Sequence, residues 1–199
     1  VGFEVFHVGR LINRLLRKPD ELARVISSVA ACDAVLWAWP VYCGLIPSQL
    51  KFFIEAIHER GHAGALAGKA TTSLSTSVHF YDHTAHGYMH AVCTDLGMRC
   101  AEGYSAHYED LLKQEGRWQL QRFFRCFLDG VAAGAPGELR FPPLGQGPPP
   151  YEPGEVPAVP ADPGAPRTVL ITDAHPSDTA DASLREMIQI FIRRSPGPV

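Results

Sequence analysis

Five of the nine histidines fall near one place in the chain: His79, His83, His86, His90 and, farther off, His107. Imidazole is the side chain best suited to moving protons near neutral pH and to ligating transition metals. At ~100° per residue, His83, His86 and His90 lie within about 60° of one another on one helix face. The i, i+4 spacing of His86 and His90 suits zinc or a similar ion. A metal centre needs a third or fourth ligand, for which Asp82 and His79 are the neighbours, but neither an H-E-x-x-H pattern nor a cysteine cluster accompanies them. Two other readings stand beside the metal: contact with a cofactor or substrate, and a polar, partly exposed helix flank bordering a cleft. Asp82 is also an N-cap candidate for the helix that follows it.

These residues need a frame, and the hydrophobic pattern supplies one. Phe3 to Val8 alternates and is rich in β-formers, which predicts a strand. Pro19-Asp20-Glu21 opens a helix whose inner face is Leu22, Val25, Ile26 and Val29. Ala34 to Trp39 is a continuous apolar run of strand length, as in parallel strands covered on both sides. Pro47 opens a helix with Leu50, Phe53, Ile54 and Ile57 inward. Lys69 to Thr76 predicts a strand, about Asp82 to Leu96 a helix, Arg99 to Tyr104 a short strand and about Glu115 to Leu128 a helix. This alternation is the signature of a doubly wound parallel α/β sheet with helices on both faces. Most of the 17 prolines then fall between 131 and 166, which predicts a stiff Pro/Gly-rich linker. Beyond it Thr168 to Thr172 reads as a strand, followed by a polar loop and a helix marked by Leu184, Met187, Ile188 and Phe191. The expected domains are 1–130, the linker 131–166 and a strand-loop-helix tail over 167–199.

Composition removes other classes. The net charge of −3 comes with no basic stripe, which argues against nucleic acid. No apolar run approaches the ~18 residues of a membrane span. The five cysteines (Cys32, Cys43, Cys93, Cys100 and Cys126) are scattered, with no CxxC pair. That fits a reducing cytoplasm, with thiols acting as small apolar fillers.

The stretch Cys32 to Gly44, an apolar strand running into Pro40-Val41-Tyr42-Cys43-Gly44, resembles the flavodoxin-like NAD(P)H-dependent FMN reductases and iron–sulfur flavoproteins. In that group P-x-Y-x-G leads to a helix with L-K-x-F-I-[DE], here Leu50-Lys51-Phe52-Phe53-Ile54-Glu55; Gly68-Lys69 before the next strand is a further recurrent feature. The resemblance spans roughly residues 1–130. It implies a flavodoxin-like fold, FMN as cofactor, NAD(P)H as electron donor and a small-molecule or protein acceptor; dimers are common in the group, so a homodimer is an expectation. Ligands of open α/β sheets bind outside the carboxyl ends of the strands. Pro40, Val41, Tyr42, Cys43 and Gly44 are therefore expected along one flavin edge, with Tyr42 as a wall and Gly44 allowing close backbone approach. Thr76, Ser77, Val78 and His79, after the next strand, are expected along the other. A histidine beside a reduced flavin could stabilise negative charge or relay protons. The plain alternative is a strand-to-helix turn with Tyr42 capping the core, and the rival function is a non-enzymatic electron-transfer or interaction module.

The resembled family carries its phosphate-binding loop after a central first strand, and the first strand here reads as the second of that order. The chain is therefore expected to be a fragment lacking its first βα unit, with the tail either filling the vacant strand position or starting a further domain. The tail loop His175 to Ser183 has hydroxyls, but Asp173, Asp178 and Asp181 would repel a phosphate.

Overall fold

The computed structural model describes residues 2–142, 154, 157, 162, 164, 169–174 and 182–194. The chain divides into two compact units, Val1–Leu144 and Gly145–Val199. The first holds α1 (Val8–Arg17), α2 (Pro19–Ala31), β1 (Ala34–Pro40), α3 (Ser48–Glu59), β2 (Ala70–Ser77), α4 (Asp82–Asp95), β3 (Arg99–Cys100), β4 (Tyr104–His107) and α5 (Gln114–Ala132). The second holds α6 (Ala182–Arg194), whose apolar side chains Leu184, Met187 and Phe191 are exposed within it.

The four strands form one parallel sheet with β2 in the middle. β1 pairs along one edge of β2, from Ala34↔Ala70 to Pro40↔Thr76. β3 and β4 share the other edge, at Ala70↔Arg99 and from Leu74↔Tyr104 to Ser77↔His107. Strand alternation assigns the helices to faces. Trp37 packs against Phe53 of α3 and Trp39 against His86 of α4, so both helices cover one face. Tyr104 points to the opposite face, where it stacks on Phe123 of α5 at 5.3 Å. The α/β architecture expected from the pattern is therefore present, with helices on both faces.

Three expected strands differ from what forms. Gly2 to His7 has no regular structure, and Phe3 and Val5 are exposed. Alternation makes a segment fit to be a strand, but a ladder partner makes it one. Val8 instead begins α1, a helix masked in the sequence by the alternation just before it. Leu11, Ile12, Leu15 and Leu16 form its buried stripe, and Arg60 closes its C-terminus by donating from Nη1 to Leu15 O (3.0 Å) and from Nη2 to Leu16 O. Val169 to Thr172 likewise belongs to no strand, with Ile171 92% exposed. The strand expected over Arg99 to Tyr104 is interrupted between β3 and β4, and Gly103 shows why. A Cβ there would lie 2.2 Å from Ser73 Oγ and 2.4 Å from His86 Nδ1, so the chain detours over α4's histidine where only glycine passes.

Past α5, residues from the expected linker run alongside β3. Glu138 N donates to Cys100 O (2.8 Å), and Arg140 pairs with Glu138 (2.9 Å) and Glu102 (3.6 Å). Most of the expected linker, and the loop His175–Asp181 weighed against a phosphate, lie outside the described residues.

Candidate functional site

The carboxyl ends of β1, β2 and β4 open on one rim of the sheet, and three loops leave from it. After β1, Val41 N donates to Thr76 O (3.0 Å) and keeps the chain beside β2. Tyr42 and Leu45 then exchange both backbone hydrogen bonds at 2.9 Å around Cys43 (φ +48) and Gly44 (φ +76). Two consecutive positive φ values between such a pair make a type I′ turn, which asks for glycine at the second position. A Cβ on Gly44 would also meet Tyr81 Cβ at 3.1 Å, and Thr84 Oγ1 donates to Gly44 O. The turn and this loop-to-loop contact thus account for Gly44, which is buried.

Residues Pro40 to Gly44 and Thr76 to His79 do come together, on adjacent parallel strands. Tyr42 and Val78 are exposed, as are Phe80, Tyr81 and Tyr108 beside them. Contiguous exposed aromatic surface at a sheet's carboxyl edge fits a flat ring system. The amides of the exposed residues Cys43, Phe80 and Tyr81 have no hydrogen-bond partner among the described residues, leaving donors for a ring's polar edge. The residues present therefore fit the ring portion of FMN.

Beneath the aromatic rim lies a polar chain the sequence did not disclose. His79 and Tyr81 are both left-handed (φ +57 and +56), a strained conformation that functional loops often hold. Tyr81 occupies the N-cap position of α4 without a side-chain cap, so Asp82 is the helix's first residue and not its cap. Its carboxylate is buried and turns to other partners: His79 Nδ1 lies 2.9 Å from Oδ2, and Ser105 Oγ donates to the same oxygen. Burial works to raise the Asp82 carboxyl, but hydrogen bonds from Ser105, Ser77 and His79, with the charge of His79, hold it down at about 2. Asp82 is therefore a carboxylate at neutral pH.

The chain continues inward. Ser75 Oγ donates to Ser105 Oγ (3.3 Å) and lies 2.8 Å from His86 Nε2, while Ser73 Oγ lies 2.7 Å from His86 Nδ1. Desolvation pushes His86 below its ordinary value, with Arg140 assisting and Asp82 opposing, so it is neutral. Because Ser75 spends its proton on Ser105, its oxygen accepts from His86 Nε2–H, and Ser73 donates to Nδ1. Every donor then points towards Asp82.

The histidines thus separate. His83 is exposed, His86 is half-buried and held by two serines, and His90 is buried and packs edge-on to Phe141 at 5.8 Å. Burial, then Arg140, lowers His90 as well. His83 lies 5.7 Å from the Tyr81 ring. Among the described residues no three His, Cys, Asp or Glu side chains are grouped to hold a metal ion. With both His86 nitrogens engaged, the metal-dependent hydrolase reading loses its ligand pair. His79 and His107, from neighbouring strand ends, meet with ring centroids 5.6 Å apart.

Comparison with known proteins matches this region. The family model described as NADPH-dependent FMN reductase matches residues 1–107. Among solved structures, FerB, a flavoenzyme NAD(P)H:(acceptor) oxidoreductase from Paracoccus denitrificans, is similar at a TM-score of 0.54 and 21% identity, covering 67% of this chain and 81% of that one. An oxidoreductase from Corynebacterium diphtheriae is similar at 0.50 and 17% identity, covering 63% and 71%. At these identities the likeness is one of fold. No curated protein matches the sequence.

Proposed function

The chain belongs to the NADPH-dependent FMN reductase family, and from that premise we propose that the rim formed by Pro40–Gly44 and Thr76–His79 is where the flavin ring lies. The protein is an NAD(P)H-dependent FMN oxidoreductase. Bound here, FMN would supply the hydride and electron-transfer chemistry, and the rim residues would hold and orient it. The chain's own residues supply the wall and the edge: Tyr42 and Phe80 offer aromatic surface, and the amides of the exposed Cys43 and Phe80 offer donors to the ring's carbonyl groups.

The observation that carries this placement is the exposed aromatic and apolar group at one sheet edge, Tyr42, Val78, Phe80, Tyr81 and Tyr108, each more than half exposed. Electron transfer to a small-molecule or protein acceptor belongs to the same proposal. So does the cytoplasm, supported by Cys32, Cys43, Cys93, Cys100 and Cys126, all free thiols. No helix among the described residues is long and apolar enough to cross a membrane.

The test is an absorbance spectrum of the protein after addition of FMN and removal of unbound flavin, in the wild type and in Tyr42→Ala. Flavin bands retained by the wild type and weakened in the variant support the placement. A colourless wild type, or a variant that binds as tightly, refutes it.

A further inference from the structure

His79 differs from the other histidines of the cluster in what its two ring nitrogens face. Its backbone is left-handed, and its amide donates to Ser77 Oγ at 2.8 Å, which fixes the loop. Its side chain is 51% exposed, against 9% for Asp82. An ionised carboxylate only accepts hydrogen bonds, so Nδ1 carries the proton of the His79–Asp82 bond. Nε2 is thereby left without a partner among the described residues, as a lone pair in the neutral ring and as N–H in the cation.

His107 is set the opposite way. Its Nδ1 accepts the Glu109 amide at 3.3 Å, which places its proton on Nε2. The charged and titratable groups around His79 are Asp82 at the start of α4 and His107 at the end of β4. Tyr108 packs on the His107 ring at 4.5 Å, and Asp110 accepts the His107 amide at 2.7 Å.

We propose that His79 supplies the proton that accompanies hydride transfer at this rim, with Asp82 and Ser105 as positioning residues that fix its tautomer. This rests on the flavin lying at the rim. Hydride transfer oxidises the nicotinamide and leaves the flavin reduced by two electrons, with one more negative charge. The Nε2–H bond of the His79 cation breaks, its proton passes to the reduced ring, and the neutral imidazole takes another proton from water. The sum is NAD(P)H + H⁺ + FMN giving NAD(P)⁺ + FMNH₂. The arrangement parallels the carboxylate that orients a catalytic histidine through Nδ1.

Two measurements test it. Long-range ¹⁵N–¹H correlation spectra of the whole chain, without flavin, read the tautomer directly. The wild type is expected to show His79 protonated at Nδ1 when neutral, and Asp82→Asn to lose that preference. An Nε2–H tautomer in the wild type overturns the proposal. The second is the rate at which NAD(P)H reduces the bound flavin in a single turnover, in water and in deuterium oxide, for the wild type and His79→Asn. A proton passed from Nε2–H with the hydride is expected to give the wild type a solvent isotope effect above one, which His79→Asn loses together with rate. Asparagine tolerates the left-handed backbone, which keeps the loop intact. A rate and isotope effect unchanged in His79→Asn, with flavin retained by both proteins, overturns the role of His79 and leaves the flavin placement standing. A wild type that retains no flavin overturns the placement, and the proposal with it.

Discussion

Asp82→Asn removes the charge on which the whole polar chain converges, and its consequence for stability can be worked out. Asp82 is 7% exposed, so solvent does little to screen it. Burial opposes its ionisation, yet Ser105, Ser77 and His79 bring the carboxyl from an ordinary 3.8 down to about 2. At ~1.36 kcal/mol per pH unit the gap is worth roughly 2 kcal/mol to the folded state. The folded value lies below the unfolded one, so this contribution is fully present above the unfolded value. It is lost as pH falls from 3.8 through about 2. Urea unfolding of wild type and variant, at neutral pH and again near pH 2, isolates the effect because other acid-titrating groups cancel between the two proteins. The wild type's advantage is expected to shrink by about 2 kcal/mol across that range. An advantage that stays constant would mean the carboxylate is not held by these donors, and would refute the reasoning.

Gly103→Ala puts a methyl 2.2 Å from Ser73 Oγ and 2.4 Å from His86 Nδ1; a loss of at least ~1–3 kcal/mol is expected by chemical denaturation. Cys43→Asn suits the first central position of the type I′ turn better than cysteine at φ +48; a gain of about 0.5–1 kcal/mol is expected in the same assay. His86 is held below its ordinary 6.5 chiefly by burial, so the unfolded chain binds its proton first and stability falls as pH drops through that value. His86→Gln is expected to flatten the fall in thermal unfolding measured on either side of it.

Much of the frame was legible because its signals are local. A continuous apolar run such as Ala34 to Trp39 needs cover on both faces, and an i, i+3, i+4, i+7 stripe such as Leu50, Phe53, Ile54 and Ile57 names its own helix and its own buried side. The helices α2 to α5 and the strands β1 and β2 formed close to where periodicity put them. The stripe of α1 was equally local but was obscured by the alternation just before it.

Pairing was not legible, because it depends on a partner elsewhere in the chain. Gly2 to His7 and Val169 to Thr172 have strand composition and no ladder, and the detour at Gly103 is imposed by Ser73 and His86, neither of them a sequence neighbour. The candidate site divides in the same way. That Pro40–Gly44 and Thr76–His79 leave consecutive strands, and hence share an edge, follows from the strand-forming runs ahead of them. Which polar groups meet there depends on residues distant in the chain. Parallel pairing of β4 with β2 in the register Ser75↔Ser105 and Ser77↔His107 carries Ser105 to Asp82 and the His107 ring to that of His79. A shift of one residue would turn both to the opposite face.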